Sequence, residues 1–185
     1  MRRIGRLCVY CGSSGQVDAR YREAARELGA GLAKAGIELV FGGGHVGLMG
    51  IVADAVLAGG GRAVGVIPTR LRDAELAHRG VSELVVVETM HDRKRIMAER
   101  ADAFAVLPGG LGTLDETFEI LTWRVLRLHD KPVFLVDVGG YWRPLIALFD
   151  HLVAAHFAGP IVPDLVLPVP DIAALMEAIS APQPG

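Results

Sequence analysis

The sequence has few cysteines and no long apolar run. Of its 185 residues, only Cys8 and Cys11 are cysteines, too few for the disulfide framework of a small secreted domain. No apolar run approaches the roughly 20 residues that span a bilayer. The run that follows the basic residues 1–6 is shorter than a signal-peptide core. These absences predict a cytoplasmic protein with no membrane partner.

The sequence also has almost no net charge. It contains 19 lysines and arginines against 21 aspartates and glutamates, for a formal charge of -2 at pH 7. Such a balance generates no broad positive field, so we expect no nucleic-acid partner. A single small anion can still be held by local groups.

What is present is an alternation of short apolar runs and helical stretches. The apolar runs are residues 7–10, 39–41, 63–67, 84–87, 103–107 and 133–136. After the first run, a helix is predicted, because Tyr21, Ala25, Leu28 and Leu32 fall on one helical face. Gly36 then supplies a stop signal. The same reasoning predicts further helices at about 46–58, 90–101, 113–127 and 141–155.

Apolar strands that alternate with helices indicate a parallel sheet covered on both faces. The predicted fold class is α/β, a Rossmann-like doubly wound parallel sheet forming a single domain over residues 1–185, with its core at about 6–158. The more polar stretch 68–80 predicts a loop with a helical turn. The extension 160–185 holds six of the ten prolines. It is expected to add a strand near Leu165 and a helix at 171–179, and then to fray.

Glycine is concentrated where this fold binds ligands, beyond the carboxyl ends of the strands. The glycine-rich loops are residues 11–15, 42–50 and 108–113. Glycine lets backbone amides approach an anion, and a helix N-terminus adds partial positive charge. For any one loop, the need for a tight turn explains the glycines equally well. Three such loops at one sheet edge favour phosphate binding.

Two common nucleotide motifs are missing. The loop after the first strand reads G-S-S-G at residues 12–15, which does not match G-x-G-x-x-G, and the chain has no Gly-Lys-Ser or Gly-Lys-Thr. This argues against hydride transfer and NTP hydrolysis. Cys8 and Cys11 have C-x-x-C spacing without a second ligand pair, so we predict no metal site and no cofactor.

Acidic residues follow the third glycine loop. Thr113 and Glu116 have the T-x-x-E spacing of a capping box, so the spacing supports a helix cap as well as catalysis. Glu119 lies three residues further on, on the same helix face. If the loop holds the phosphate of a nucleotide, both carboxylates project towards the ribose.

Basic residues open another predicted helix, at 91–95. Such runs usually face solvent, which is the interpretation for Lys94 and Arg95. Arg93 lies where the helix enters from the ligand-binding edge, so its guanidinium can reach a phosphate or a developing charge. For His45 and His91, a loop hydrogen bond is favoured over acid–base chemistry.

Residues 108–116 resemble the P-G-G-x-G-T-x-x-E signature of the LONELY GUY (LOG) family. These are cytokinin-activating phosphoribohydrolases, many of which were long labelled lysine decarboxylases. The similarity extends through residues 8–14, 42–50, 90–94, 121–123 and 129–132, and so covers about residues 7–150. The chain departs from plant members at His45 and Asp92, where they usually have Ser and Glu.

The resemblance implies a homodimer, with the active site near its interface, that cleaves the N-glycosidic bond of a purine or cytokinin ribonucleoside 5'-monophosphate. Arg93 and Glu116 are implied as the catalytic pair. A carboxylate can stabilise the oxocarbenium character that develops on ribose. The substrate-binding residues expected in the matching region are Ser14, Gly43, Gly44, Met90, Lys94, Gly109, Gly110, Gly112, Thr113 and Glu119.

Two other functions compete with this one. A non-catalytic nucleotide or cofactor carrier can use the same fold, but a carrier does not need Glu116 beside Arg93. A lysine decarboxylase normally needs a lysine that forms a Schiff base with pyridoxal phosphate. The only lysines are Lys34, Lys94 and Lys131, and none has a suitable predicted position, so we reject that function.

Overall fold

The apolar runs form the strands of one parallel sheet in a computed structural model, which describes residues 3–74 and 76–181. The strands are β1 (Arg6–Tyr10), β2 (Glu38–Phe41), β3 (Ala63–Pro68), β4 (Glu83–Val87), β5 (Ala103–Val106), β6 (Val133–Val136) and β7 (Leu167–Val169). Strands β3, β5 and β6 are buried at every position. This burial explains why their sequences are continuously apolar rather than alternating.

The described part of the chain has seven α-helices. They are α1 (Ala19–Ala35), α2 (Gly47–Ala58), α3 (Thr69–Asp73), α4 (Met90–Arg100), α5 (Leu111–Val125), α6 (Arg143–Ala154) and α7 (Ile172–Ser180). Where the sequence predicted the first and last residues of a helix, the observed ends lie within about two residues of them. Gly36 ends α1 as predicted.

The polar stretch and the extension also follow the prediction in outline. Helix α3 is the helical turn predicted within residues 68–80. The last strand lies two residues beyond Leu165, which instead ends a 3-10 turn at Val162–Leu165. The predicted fraying of residues 182–185 lies outside the described residues. In the ranges that the structure describes, no helix is long and apolar enough to cross a membrane.

Helices cover both faces of the sheet. Helices α1, α2 and α7 pack with one set of strand residues, including Leu7 and Val9. Helices α4, α5 and α6 pack on the other set, including Cys8 and Tyr10. Alternate residues of β1 therefore enter different core layers, as expected for a central strand buried on both sides. The predicted doubly wound α/β fold is confirmed.

The sheet order positions the ligand-binding edge. It runs β4-β3-β2-β1-β5-β6-β7, and every neighbouring pair is parallel. The chain winds outward in one direction from β1 and resumes on its other side with β5. A crevice opens at such a reversal, beyond the carboxyl ends of the two strands. The loops after β1 and β5, both rich in glycine, flank this crevice.

Helices α1 and α2 approach closely at Gly29, which gives a stability prediction. A Cβ at Gly29 would lie 2.5 Å from the Val52 carbonyl oxygen, whereas a Cβ at Gly31 would meet the Met176 side chain at 3.0 Å. Gly29→Ala should lower the free energy of unfolding by about 1–3 kcal/mol, because backbone atoms must move apart.

The matched control is Gly31→Ala on the same helix. Met176 is a flexible side chain that can move, and alanine has the higher helix propensity. Chemical denaturation should therefore show this variant at least as stable as the parent. Equal destabilisation by both substitutions would contradict the packing described at Gly29.

Candidate active site

The helices that follow two of the glycine loops start without a side-chain cap. Helix α2 begins after Val46 and α5 after Gly110, and neither residue caps its helix with a side chain. Helices α3 and α6 also lack a side-chain cap, whereas Asp18, Thr89 and Asp171 cap α1, α4 and α7. The first N–H groups of an α-helix have no intrahelical partner. An anion at the crevice can take the place of the missing caps.

Of these two helices, α5 is the better suited to bind an anion at its N-terminus. Its first intrahelical bond runs from the Leu114 N–H to the Gly110 carbonyl at 3.0 Å. The amides of residues 111–113 therefore lie outside the helical bonding pattern. In α2, the Leu48 N–H already donates to the Gly12 carbonyl at 3.0 Å. Among the described residues, the start of α5 therefore has more amides without a backbone hydrogen-bond partner than the start of α2.

Gly109 allows the loops after β1 and β5 to meet. The Gly12 N–H donates to the Pro108 carbonyl at 3.1 Å. A Cβ at Gly109 would overlap Thr113 Oγ1 and lie 2.9 Å from the Gly12 nitrogen, so a larger residue would force these groups apart. Tyr141 Oη donates to the Gly109 carbonyl at 2.8 Å. The loop before α5 is thus held from both sides.

These loops enclose a cavity of about 190 Å³. Five residues singled out in the sequence line it: Arg93, Gly110, Gly112, Thr113 and Glu116. They come from the start of α4 and the first turns of α5. The structure therefore brings the predicted catalytic pair and most of the predicted phosphate loop to one place.

The other predicted substrate-binding residues do not line this cavity, and their roles remain predictions. They are Ser14, Gly43, Gly44, Met90, Lys94, Gly109 and Glu119. The Ser14 hydroxyl accepts a hydrogen bond from the Gln16 amide within its own loop. Met90 is exposed, with its sulfur 3.9 Å from Arg93 Nη1.

Sequence reasoning missed other residues of the cavity wall. They are Val9, Cys11, Gly12, Ser13, Gly42, Met49 and Leu111. A signal was available for most of them, because Gly12 and Ser13 adjoin Ser14, and Gly42 and Met49 lie in the second glycine loop. Which members of a loop face inward depends on backbone direction, which spacing does not specify.

Arg93 reaches across the ends of two strands. Its Nε donates to the Val66 carbonyl at 3.1 Å, and its Nη2 donates to the Gly42 carbonyl at 3.0 Å. The side chain is buried. A Cβ at Gly42 would overlap Nη2, so only glycine leaves room for the guanidinium. Arg93 is thereby fixed as a positive charge at the cavity wall.

Glu116 is a largely buried carboxylate, with its side chain 11% exposed, that faces Arg93. Its Oε1 lies 4.0 Å from Arg93 Nη2. Burial raises the pKa of Glu116 to about 7, although the nearby Arg93 charge opposes the rise. Because α5 begins at Leu111 after Gly110, Thr113 is inside the helix and does not cap it. The capping-box interpretation of Thr113 and Glu116 is therefore wrong.

Lys94 is buried, which contradicts the expectation that it faces solvent. Its Nζ lies 3.1 Å from Asp115 Oδ2 and 3.2 Å from Glu119 Oε2. Burial lowers the pKa of Lys94, but the hydrogen bonds to these carboxylates outweigh that effect and the net pKa is raised. Arg95 is exposed as expected and pairs with Glu99. The charge run therefore has one buried side and one solvated side.

No histidine in the described part of the chain lines the cavity, whereas Cys11 is part of its wall. His45 is exposed and its Nδ1 lies 3.0 Å from the Leu76 carbonyl, which confirms the predicted loop hydrogen bond. His91 is exposed on the first turn of α4. Cys8 and Cys11 are free thiols buried in opposite core layers. Burial raises the pKa of both, so neither is a reactive thiolate.

Comparison with known proteins identifies the family. A family model described as "Possible lysine decarboxylase" matches residues 49–179. The rice protein (Oryza sativa subsp. japonica) named "Probable cytokinin riboside 5'-monophosphate phosphoribohydrolase LOGL1" is 50% identical over 155 residues, which are 84% of this chain and 70% of that protein. The chain belongs to the LOG family. "Cytokinin riboside 5'-monophosphate phosphoribohydrolase LOG1" of Arabidopsis thaliana is 42% identical over 174 residues, covering 94% of this chain and 82% of that protein.

Solved structures share the LOG fold at lower sequence identity. The molybdenum cofactor carrier protein of Chlamydomonas reinhardtii superposes with a TM-score of 0.73 at 24% identity, covering 96% of both chains. The molybdenum cofactor binding protein of Rippkaea orientalis gives a TM-score of 0.70 at 23% identity, covering 97% of this chain and 96% of that one. Identity at this level establishes a common fold and nothing about a common ligand.

The lysine decarboxylase description does not fit the lysines of this LOG family member. All three lysines lie among the described residues, and none lines the cavity. Lys94 is paired with carboxylates, and Lys131 Nζ donates to the Ala98 carbonyl at 2.7 Å. Lys34 lies in the last turn of α1. The cavity therefore contains no amine to form the Schiff base of pyridoxal phosphate.

The raised pKa of Glu116 predicts a pH-dependent stability cost. In the folded protein the carboxyl titrates at about 7 rather than at its ordinary 4.5, so the fold binds this proton more tightly than the unfolded chain does. The stabilisation by the protonated form is complete below the unfolded pKa and is lost as pH rises through about 7. Glu116→Gln removes this titration.

We therefore expect the stability of the Glu116→Gln variant relative to the parent to increase by about 2–3 kcal/mol between pH 5 and pH 8.5. Denaturant unfolding of both proteins across this pH range measures the difference. A difference that stays constant with pH would contradict the burial of an ionisable carboxyl at this position.

Proposed function

We propose that this LOG family protein hydrolyses the N-glycosidic bond of purine or cytokinin ribonucleoside 5'-monophosphates. The C1'–N bond breaks, water supplies the new hydroxyl at C1' and a proton reaches the base, so the products are free base and ribose 5-phosphate. The observation that carries this proposal is the juxtaposition of the uncapped start of α5 with buried Glu116 one turn further on. The printed activities of the relatives support it.

The phosphate is assigned to the first turn of α5. Gly110, Gly112 and Thr113 line the cavity there, and a helix N-terminus with free amides binds phosphate well. Glu116 lies one turn deeper on the same wall. A phosphate held at the helix start therefore directs the attached ribose towards the Glu116 carboxylate.

Glu116 and Arg93 suit the charge changes of glycoside cleavage. Departure of the base leaves positive charge on the ribose ring, which an ionised carboxylate stabilises. The electrostatic interaction of these two side chains with the substrate is strong because both are shielded from water. Arg93 needs no reorganisation during the reaction, because its hydrogen bonds to the Gly42 and Val66 carbonyls hold it in place. Arg93 in turn opposes the negative charge of the phosphate.

The first activity test uses Glu116→Gln and Arg93→Ala, with AMP and isopentenyladenosine monophosphate as substrates. We expect each variant to lose about 10²-fold or more in kcat, because each removes a preorganised charge. Chromatography of released base measures the rate. In the parent enzyme kcat/KM should rise with pH through about 7, as Glu116 becomes ionised.

Controls separate this prediction from loss of structure. Glu99→Gln changes an exposed acidic residue at the far end of α4 and should leave turnover unchanged. Adenosine, which lacks the 5'-phosphate, should be a poor substrate because nothing anchors it to α5. Near-parental turnover by the Glu116→Gln variant would remove Glu116 from the catalytic role.

A non-catalytic carrier is the competing function. The molybdenum cofactor proteins with this fold are distant in sequence, at 23–24% identity. A carrier has no need to bury a carboxylate whose pKa is raised, since the buried charge costs stability. Tight binding of the nucleotides without release of base would favour the carrier.

We further propose that the protein acts as a homodimer through the outer face of α5. Leu111, Phe118 and Val125 follow one another at intervals of two turns, and Leu111 is 86% exposed. Exposed apolar stripes of this kind mark protein interfaces. The cavity of about 190 Å³ is also smaller than the roughly 300 Å³ at which ligand pockets begin. A second copy packed near Leu111 would enlarge the site for the base.

Val125→Glu tests the dimer. A charge on this apolar stripe should shift the mass measured by light scattering from twice the 19.7 kDa of one chain to that of one chain. Ala30→Glu, on the exposed face of α1, is the matched control and should leave the mass unchanged. A parent protein that is already monomeric would contradict the proposal.

We also infer that the protein works in the cytoplasm. Cys8 and Cys11 are both free thiols in the structure, and proteins of oxidising compartments usually pair their cysteines. The two free thiols support a reducing compartment.

A further inference from the structure

Two consecutive basic residues of α4 interact with α5 in different ways. Arg93 and Lys94 are both buried. Arg93 faces Glu116, whereas Lys94 reaches Asp115 and Glu119. These two acidic residues lie four apart on α5, on either side of Glu116. Lys94 therefore binds the same segment of α5 that carries the proposed catalytic carboxylate.

The contacts of Lys94 with α5 are closer than the contact of Arg93 with Glu116. Lys94 Nζ lies 3.1 Å and 3.3 Å from the two Asp115 carboxylate oxygens and 3.2 Å from Glu119 Oε2, which are hydrogen-bond distances. Arg93 Nη2 is 4.0 Å from Glu116 Oε1, too far for a hydrogen bond. The separation of Arg93 and Glu116 is therefore not set by a bond between them.

Lys94 contributes to this separation in addition to the apolar packing of both helices on the sheet. Arg93 is held from its own side by the carbonyls of Gly42 and Val66. On the opposite side, the position of Glu116 depends on where α5 lies relative to α4. The ion pairs of Lys94 connect these two helices at that level. The Lys94 side chain is 9% exposed and that of Glu119 25%, whereas Asp115 is largely exposed, so water screens the pair with Glu119 less than the pair with Asp115.

We propose that Lys94 is a positioning residue, which bridges Asp115 and Glu119 to hold Glu116 opposite Arg93 and offsets the charge of the flanking carboxylates. The proposal rests on the function proposed above for Glu116. It assigns Lys94 a role other than contact with substrate, since its cation is already paired and does not line the cavity.

The electrostatic part of this role follows from the groups that face Glu116. Helix α4 contributes Arg93 and Lys94, and α5 contributes Asp115 and Glu119. The strand β1 and its loop contribute three groups that burial keeps neutral: Cys8, Tyr10 and Cys11. Lys94 is therefore the counter-charge to the carboxylates on either side of Glu116.

Removal of Lys94 and removal of Asp115 should have opposite effects. Without Lys94, two unopposed carboxylates disfavour ionisation of Glu116, so its pKa rises further. Without the Asp115 charge, Lys94 is left with Glu119 alone and favours ionisation, so the pKa of Glu116 falls. A purely structural role of Lys94 in holding the helices together would not predict opposite signs.

The experiment compares Lys94→Met, Lys94→Arg and Asp115→Asn with the parent protein. The Glu116 carboxyl carbon is titrated by carbon-13 NMR in the absence of substrate, with Glu116→Gln identifying its signal. We expect the midpoint to rise by about one pH unit in the methionine variant, to return towards the parental value with arginine, and to fall in the asparagine variant.

The pH profile of kcat/KM supplies the second readout. Its acid limb should move in the same direction as the NMR midpoint in each variant, so the methionine variant should recover activity as the pH is raised. Asp115 is largely exposed, so Asp115→Asn tests the proposal even if the methionine variant fails to fold.

The outcomes separate the two proposals. An unchanged midpoint in the methionine variant, or a shift of the same sign in the asparagine variant, would overturn the positioning role. Opposite midpoint shifts without hydrolysis of any nucleotide by the parent protein would instead leave the positioning role standing and overturn the proposed function.

Discussion

The site depends on a buried guanidinium that is satisfied by backbone oxygens. A charge removed from water is costly unless it is paired and hydrogen-bonded, and Arg93 meets this requirement with the carbonyls of Gly42 and Val66. These carbonyls lie where β2 and β3 end, so the ends of two strands fix the direction of the side chain. Glycine is required at residue 42, because a Cβ would occupy the place of the guanidinium. The position of Arg93 then determines what Glu116 faces.

The helices differ in how their first amides are satisfied. Asp18, Thr89 and Asp171 satisfy the first amides of α1, α4 and α7 with side-chain oxygens. Helices α2 and α5, which adjoin the cavity, lack such caps. A side-chain cap stabilises a helix by about 1 kcal/mol, so its absence beside the crevice is a cost. A bound phosphate would offset that cost, which is consistent with local rules being broken at functional sites.

The reaction proposed for this LOG family member needs few side chains, which suits a fold shared with carrier proteins. The sheet order creates the crevice, and the anion site proposed at the glycine loops is equally useful for carrying or for cleaving a nucleotide. In the proposed reaction, the pair formed by Arg93 and Glu116 adds the chemistry. Burial raises the pKa of the Glu116 carboxyl to about 7, and the ion pairs of Lys94 with Asp115 and Glu119 connect its helix to α4.

The sequence by itself determined the helices and strands and the glycine-rich loops at the carboxyl ends of the strands, because both follow from local pattern. Apolar runs and helical spacing placed the predicted strands and helices to within about two residues, and Gly36 marked the end of α1. The tertiary structure decided which side chains share the cavity. Lys94 looked solvated because its partners Asp115 and Glu119 lie on another helix, and Met49 joins the wall because β2 pairs beside β1. Burial and charge pairing between elements distant in the chain are properties of packing, so no local spacing encodes them.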